Sequence, residues 1–255
     1  MCFDHDSRPP IAPIAGGAAA GERVVLRSTD GAELAAFFAA TERPTGAAML
    51  ILPDVRGLHP YYAELALRFA EAGVAALAID YFGRTAGVTG RDAEFEYMPH
   101  VGQARYSTLI ADAAAGAAEL RRRGTAARAM FSIGFCFGGR LSFLLAAREQ
   151  LALSGVVGFY GVPIGAGRAE MPAPADLAGQ MSVPVLGLFG GDDPGIPAES
   201  VAAFERALVD AGVKHELVSY PGAPHSFFDR KAEQHADDSA DAWRRVLDFV
   251  RRNTL

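Results

Sequence analysis

The stretch Gly134-Phe135-Cys136-Phe137-Gly138-Gly139 follows the apolar run Ala127–Ile133 and opens a second apolar segment, Leu141–Ala147. The order reads as strand, sharp turn, helix, and the turn has the form G-x-nucleophile-x-G. In that setting the turn becomes a nucleophile elbow, in which a strained residue is thrust out above a sheet. The glycines are required because a side chain at the flanking positions would strike the neighbouring strand or helix. The central residue is cysteine rather than serine, so the chemistry to expect is attack on a small ester or lactone through a thioester. On composition alone a lone cysteine among apolar residues belongs to the core; the glycine frame reverses that preference.

Working outward, strand-like and helix-like segments alternate. Glu22–Arg27 and Glu33–Ala39 flank the turn Thr29-Asp30-Gly31 and read as an antiparallel hairpin. Strands are expected over Ala47–Pro53, Gly73–Asp80, Ala127–Ile133, Leu153–Tyr160, Val183–Phe189 and His215–Tyr220. Helices are expected over Pro60–Ala72, Gln103–Arg123, Phe137–Arg148, Ala198–Ala211 and Glu233–Arg251. Residues Tyr81–Pro99 show no periodicity and read as a loop that helps wall a pocket, and Gly161–Ala175 reads as a Gly/Pro-rich connection. Alternation of this kind implies an α/β fold: a mainly parallel central sheet with helices on both faces and an N-terminal antiparallel hairpin.

The chain has 255 residues, half of them hydrophobic and 21% charged, which suits one large domain with a sizeable core. Residues 1–21 are expected to be a flexible leader and 22–255 a single domain. That leader has early acids and several prolines rather than the basic start and apolar run of a signal peptide. No apolar run approaches a membrane span, so a cytoplasmic protein without a membrane partner is expected. The net charge of −6 argues against nucleic acid as a partner. Two cysteines, Cys2 and Cys136, give no disulfide framework. His5, His59, His100, His215 and His235 lack paired ligand spacing, so no metal site and no cofactor are expected.

Two further loops follow expected strands and carry matching chemistry. Gly190-Gly191-Asp192-Asp193-Pro194 supplies a carboxylate; the spacing G-G-x-D favours Asp193, with Asp192 second. Pro221-Gly222-Ala223-Pro224-His225-Ser226-Phe227 supplies an imidazole. His225 would accept the thiol proton and later activate water, and the carboxylate would fix its tautomer. Nucleophile, acid, histidine is the chain order of an α/β-hydrolase triad. The N–H of Phe137, at the helix start, is a natural oxyanion donor, and the N–H of Val55, after Ile51-Leu52-Pro53, is the expected second.

With the Cys elbow, the G-G-x-D turn and the G-x-x-H-S-F loop in this order, the chain resembles the dienelactone hydrolase family (carboxymethylenebutenolidases) from about Gly46 to Phe249. The resemblance implies an α/β-hydrolase fold and a Cys136–His225–Asp193 triad that opens an enol-lactone in aromatic compound degradation. It also implies a thiol-activating acid at the position of Asp54, where the family has glutamate. Family members hold a substrate carboxylate with arginines, which implies an anionic small-molecule substrate. The family arginine four residues beyond the histidine falls here on Asp229; Arg230 is next to it, and Arg84, Arg91 and Arg105 are the other positions within reach of the family pattern. Arg84, Arg105 and Arg230 are carried forward as substrate-binding positions. A broad carboxylesterase or thioesterase, a non-catalytic small-ligand binder on the same fold, and a redox cysteine remain as alternative readings. A monomer or a homodimer fits equally.

Overall fold

A computed structural model describes residues 3–4, 6–14, 19–91, 95–123 and 127–254. Cys2 and His5 lie outside the described residues. Eight strands form one sheet: β1 (Ala19–Arg27), β2 (Glu33–Thr41), β3 (Ala47–Leu52), β4 (Ala75–Ile79), β5 (Ala129–Phe135), β6 (Gly155–Phe159), β7 (Val185–Gly190) and β8 (His215–Tyr220). Their order across the sheet is β1-β2-β4-β3-β5-β6-β7-β8. β1 pairs antiparallel with β2, β2 antiparallel with β4, and every later pairing is parallel. β3 through β7 are buried along their whole length, which is why their sequences are continuous apolar runs rather than alternating ones.

The helices are α1 (Pro60–Glu71), α2 (Gly83–Ala86), α3 (Tyr97–Gln103), α4 (Tyr106–Arg122), α5 (Phe137–Leu145), α6 (Ala198–Asp210) and α7 (Ala236–Arg252). His59 caps α1, its side chain accepting a hydrogen bond from the Tyr61 N–H, with Pro60 as the first helical residue. Trp243 on α7 meets Phe69 on α1 edge-on at 4.8 Å. α5 is buried throughout, since it lies directly against the sheet below the elbow.

Three expectations are corrected. The stretch read as a loop between Tyr81 and Pro99 contains α2 and the start of α3, both too short for a helical period to show. The helix expected from Gln103 begins at Tyr106, because Ala104 is extended (ψ 150°) and separates α3 from α4. The hairpin also starts earlier, β1 beginning at Ala19 inside the segment read as leader.

Strand register brings the chemistry to one edge. Leu52 pairs with Gly134, Phe135 with Phe159, Phe159 with Leu188, and Gly190 with Tyr220. The loops after β3, β5, β6, β7 and β8 therefore emerge side by side at the carboxyl ends of the strands, where open α/β sheets bind their ligands.

Candidate active site

The elbow is built as its glycines demand. A Cβ on Gly134 would lie 1.9 Å from the Gly138 carbonyl oxygen, and one on Gly138 would lie 2.1 Å from that of Leu52. With both side chains absent, α5 starts directly against β3 and β5. Cys136 itself has φ 52° and ψ −107°, a conformation that costs about 1–3 kcal/mol and persists only where the surroundings impose it. Its N–H donates to the Phe159 carbonyl at 3.0 Å, and its own carbonyl accepts from the Arg140 N–H at 3.1 Å.

Asp193 and His225 meet at the next strand ends. His225 Nδ1 lies 2.5 Å from Asp193 Oδ2. The other oxygen, Oδ1, accepts from the Gly195 N–H at 2.9 Å, so the carboxylate is fixed from both sides. Asp193 is only 4% exposed, whereas Asp192 is exposed. The His225 ring packs 4.9 Å from that of Tyr160, the residue after β6. Burial pushes the Tyr160 phenol well above its ordinary value, so it stays neutral. Tyr160 (φ 38°) and Ser226 (φ 63°) join Cys136 in the left-handed region, placing three strained non-glycine residues in the loops after β5, β6 and β8. Tyr160 escapes a reading by motif because its only signal is spatial.

After β3 the chain turns through Asp54-Val55-Arg56-Gly57, with the Gly57 N–H donating to the Asp54 carbonyl at 3.2 Å. Asp54 Oδ1 accepts from the Arg56 N–H at 2.8 Å and from Arg56 Nε at 3.1 Å, while Oδ2 lies 2.9 Å from Arg56 Nη2. Both Asp54 oxygens are thus engaged by Arg56. The Asp54 N–H donates to the Tyr62 hydroxyl at 3.0 Å, and the Tyr81 hydroxyl donates to the Pro53 carbonyl at 3.1 Å. Arg56 Nη2 also makes a short bond to Asp229 Oδ2 in the histidine loop. Burial lifts the Asp229 carboxyl to about 6 against the pull of Arg56. Sequence reading named Asp54 but not Arg56 as a site residue.

Cys136, Phe137 and Val55 line one pocket of about 310 Å³, together with Tyr97, Met98, Val162, Met171, Arg140 and Arg168. Arg84, Arg105 and Arg230 are not on its wall. Arg84 pairs with Asp30 and Asp112, Arg105 with Glu170, and Arg230 lies 3.9 Å from Asp4. The arginines that do face the pocket stand at positions the motifs do not mark. Arg140, buried on α5, donates to the carbonyls of Val162, Ile164, Gly165, Met171 and Pro172 and so holds the 161–175 connection against the elbow helix. Arg168 is exposed at the rim and its Nη1 lies 3.3 Å from Met98 Sδ.

Among the described residues no group of three His, Cys, Asp or Glu side chains could hold a metal ion. No helix among them is long and apolar enough to cross a membrane.

The sequence pattern of the dienelactone hydrolase family matches residues 34–254. A Salmonella typhimurium protein provisionally named carboxymethylenebutenolidase is 31% identical over 230 residues, covering 87% of this chain and 83% of its own. A Rhodococcus opacus carboxymethylenebutenolidase is 28% identical over 260 residues, covering 99% and 97%. The crystal structure of a Klebsiella pneumoniae protein provisionally named a dienelactone hydrolase superposes with a TM-score of 0.79 at 29% identity, covering 90% of this chain and 97% of that one.

Proposed function

The chain belongs to the dienelactone hydrolase family and is a hydrolase of ester or lactone bonds, and from that premise we propose that it works through a thioester on Cys136. The observation that carries the reading is the strained Cys136 elbow in a pocket at the strand ends where Asp193 fixes His225. The Cys136 thiol gives its proton to His225 and attacks the carbonyl carbon of the bound ester. Negative charge then develops on the carbonyl oxygen, next to the N–H groups of Phe137 and Val55 at the pocket wall. The Phe137 N–H adds the positive end of the α5 helix to that stabilisation.

Collapse of the tetrahedral species expels the alcohol or enolate, which takes its proton from His225. Water then gives a proton to His225 and attacks the thioester carbonyl, and the acid leaves as the thiol is restored. Asp193 keeps the Nδ1 proton in place, so that Nε2 is the atom that exchanges protons, and supports the imidazolium in both half-reactions. In this mechanism Asp54, with both oxygens on Arg56, shapes the turn that carries Val55 rather than touching the thiol.

The pocket wall is largely apolar, with one exposed guanidinium at its rim. That suits a small ester or lactone with a hydrophobic body and one negative charge, the charge meeting Arg168. The experiment is hydrolysis of cis-dienelactone and of p-nitrophenyl acetate by the purified chain beside Cys136→Ala. Loss of both activities in a folded Cys136→Ala protein is expected, by about 10⁴-fold. Undiminished turnover would remove the cysteine mechanism, and turnover of the nitrophenyl ester alone would move the substrate away from dienelactones.

A further inference from the structure

Arg56 is 3% exposed, and its partners come from three distant parts of the chain. It binds Asp54 in the turn after β3, Asp229 in the loop after β8, and the N-terminal segment through the Asp4 carbonyl and Ser7 Oγ, both at 3.1 Å from Nη1. The Phe3 ring, 1% exposed, lies over the guanidinium at 4.3 Å and meets the pocket residue Tyr97 edge-on at 5.5 Å. The rings of Tyr61 and Tyr62 lie 5.3 and 5.6 Å from the same carbon. A planar cation with five donors suits such a junction, where an ammonium would not.

We propose that Arg56 is a positioning residue that fixes the Val55 N–H relative to Cys136 by tying the turn after β3 to the histidine loop, with the N-terminal segment closing the junction. Val55 sits between the two ends of the Asp54–Arg56 pair, which fixes the shape of the turn, and the turn cannot move as a body without breaking the Arg56–Asp229 bond. The histidine needs no such help, since Asp193 and Tyr160 hold it independently. Loss of the guanidinium would leave two buried carboxylates facing each other without a counter-ion. Asp54 already disfavours the charge on Asp229, and the turn would shift to relieve the repulsion. The proposal rests on the cysteine-hydrolase reading above.

The test compares wild type, Arg56→Met, Arg56→Lys and Asp229→Asn as full chains. It measures kcat and KM for p-nitrophenyl acetate, and the pH profile of Cys136 alkylation by iodoacetamide. Alkylation needs the thiolate but no oxyanion donor, so it reports on the elbow and the histidine alone. Arg56→Met should keep the wild-type alkylation profile and a KM within about two-fold, while kcat falls about 100-fold. Arg56→Lys should recover part of that loss, and Asp229→Asn should lower kcat about tenfold. A residue that only stabilises the fold would lower the melting temperature and leave kcat intact below it. Wild-type kcat in a folded Arg56→Met protein overturns the proposal; if that variant fails to fold, wild-type kcat in Asp229→Asn does so. Full turnover by wild type already alkylated at Cys136 would instead sink the cysteine reading, and this inference with it.

Discussion

Asp193 and Asp54 each stand in the loop just past a parallel strand, and each accepts the N–H of the residue two positions on, Gly195 at 2.9 Å and Arg56 at 2.8 Å. Both are buried, at 4% and 3% exposure. Their remaining oxygens face different bases. Asp193 meets an imidazole, which gains and loses a proton near neutrality; Asp54 meets a guanidinium, which does not. Under the proposed mechanism the same local turn therefore serves proton transfer in one place and a fixed scaffold in the other. The chemistry of the partner, supplied from elsewhere in the chain, decides which. A buried ion pair such as Asp54–Arg56–Asp229 costs much of what it returns in stability, so what it contributes is geometry.

The sharpest way to break this comparison is at the oxygen that faces the base. Asp193→Asn should keep the turn but leave His225 without an anionic partner, lowering kcat on the order of 10³-fold. Asp192→Asn, on the exposed neighbour, should stay within about two-fold of wild type. Steady-state kinetics on the two variants would reverse the assignment if their order were opposite.

Next in size is the elbow itself. Gly138→Ala places a Cβ 2.1 Å from the Leu52 carbonyl oxygen and 2.3 Å from that of Pro53. Since these are backbone atoms of the strand and turn leading to Asp54, they cannot step aside as a side chain would. A loss of about 3 kcal/mol in denaturant unfolding is expected, together with reduced kcat. An unchanged midpoint would show that the α5–β3 contact is looser than its geometry.

A third prediction concerns Asp229, whose folded value of about 6 lies above the ordinary 3.8. A carboxyl raised on folding contributes stability that is fully present below its unfolded value and is lost as pH rises through the folded one. Relative to Asp229→Asn, wild type should therefore lose up to about 3 kcal/mol between pH values near 4 and near 6. Urea titrations of both proteins across that window would show it, and a pH-independent difference would mean the charge is better compensated than its burial implies.

The smallest expected effect is at the rim. Arg168→Ala should raise KM for an anionic ester about five-fold and leave that for a neutral ester unchanged. Equal KM changes for both would assign Arg168 to the shape of the rim rather than to charge.

How far these differences could be read in advance follows from their range along the chain. The strand runs, the elbow at Cys136 and the preference for Asp193 over Asp192 are local patterns of spacing and hydrophobicity, and they are legible residue by residue. The hairpin's place beside β4 is not, since nothing in its own sequence states which strand it joins. Asp54 is legible as a polar residue at a strand end, but its partner is not: Arg56 acquires its meaning from Asp229, 173 residues away. Phe3, in a segment whose composition suggests a mobile leader, is packed for the same reason, against a cation no local pattern reveals. Arg84 and Arg105 show the converse. Their family position makes them look like substrate ligands, and nearby acids occupy them instead. Pocket arginines Arg140 and Arg168 stand at no motif position and emerge only when α5 and the 161–175 connection are brought together.

The most direct test of the central claim is intact-protein and peptide mass spectrometry after rapid mixing with p-nitrophenyl acetate and acid quench. The account expects one acetyl group on the chain, located on the peptide that contains Cys136, forming as nitrophenolate is released and disappearing when the ester is spent. Sustained turnover with an unmodified Cys136 peptide at every time point, or with the acetyl group on another residue, would contradict it.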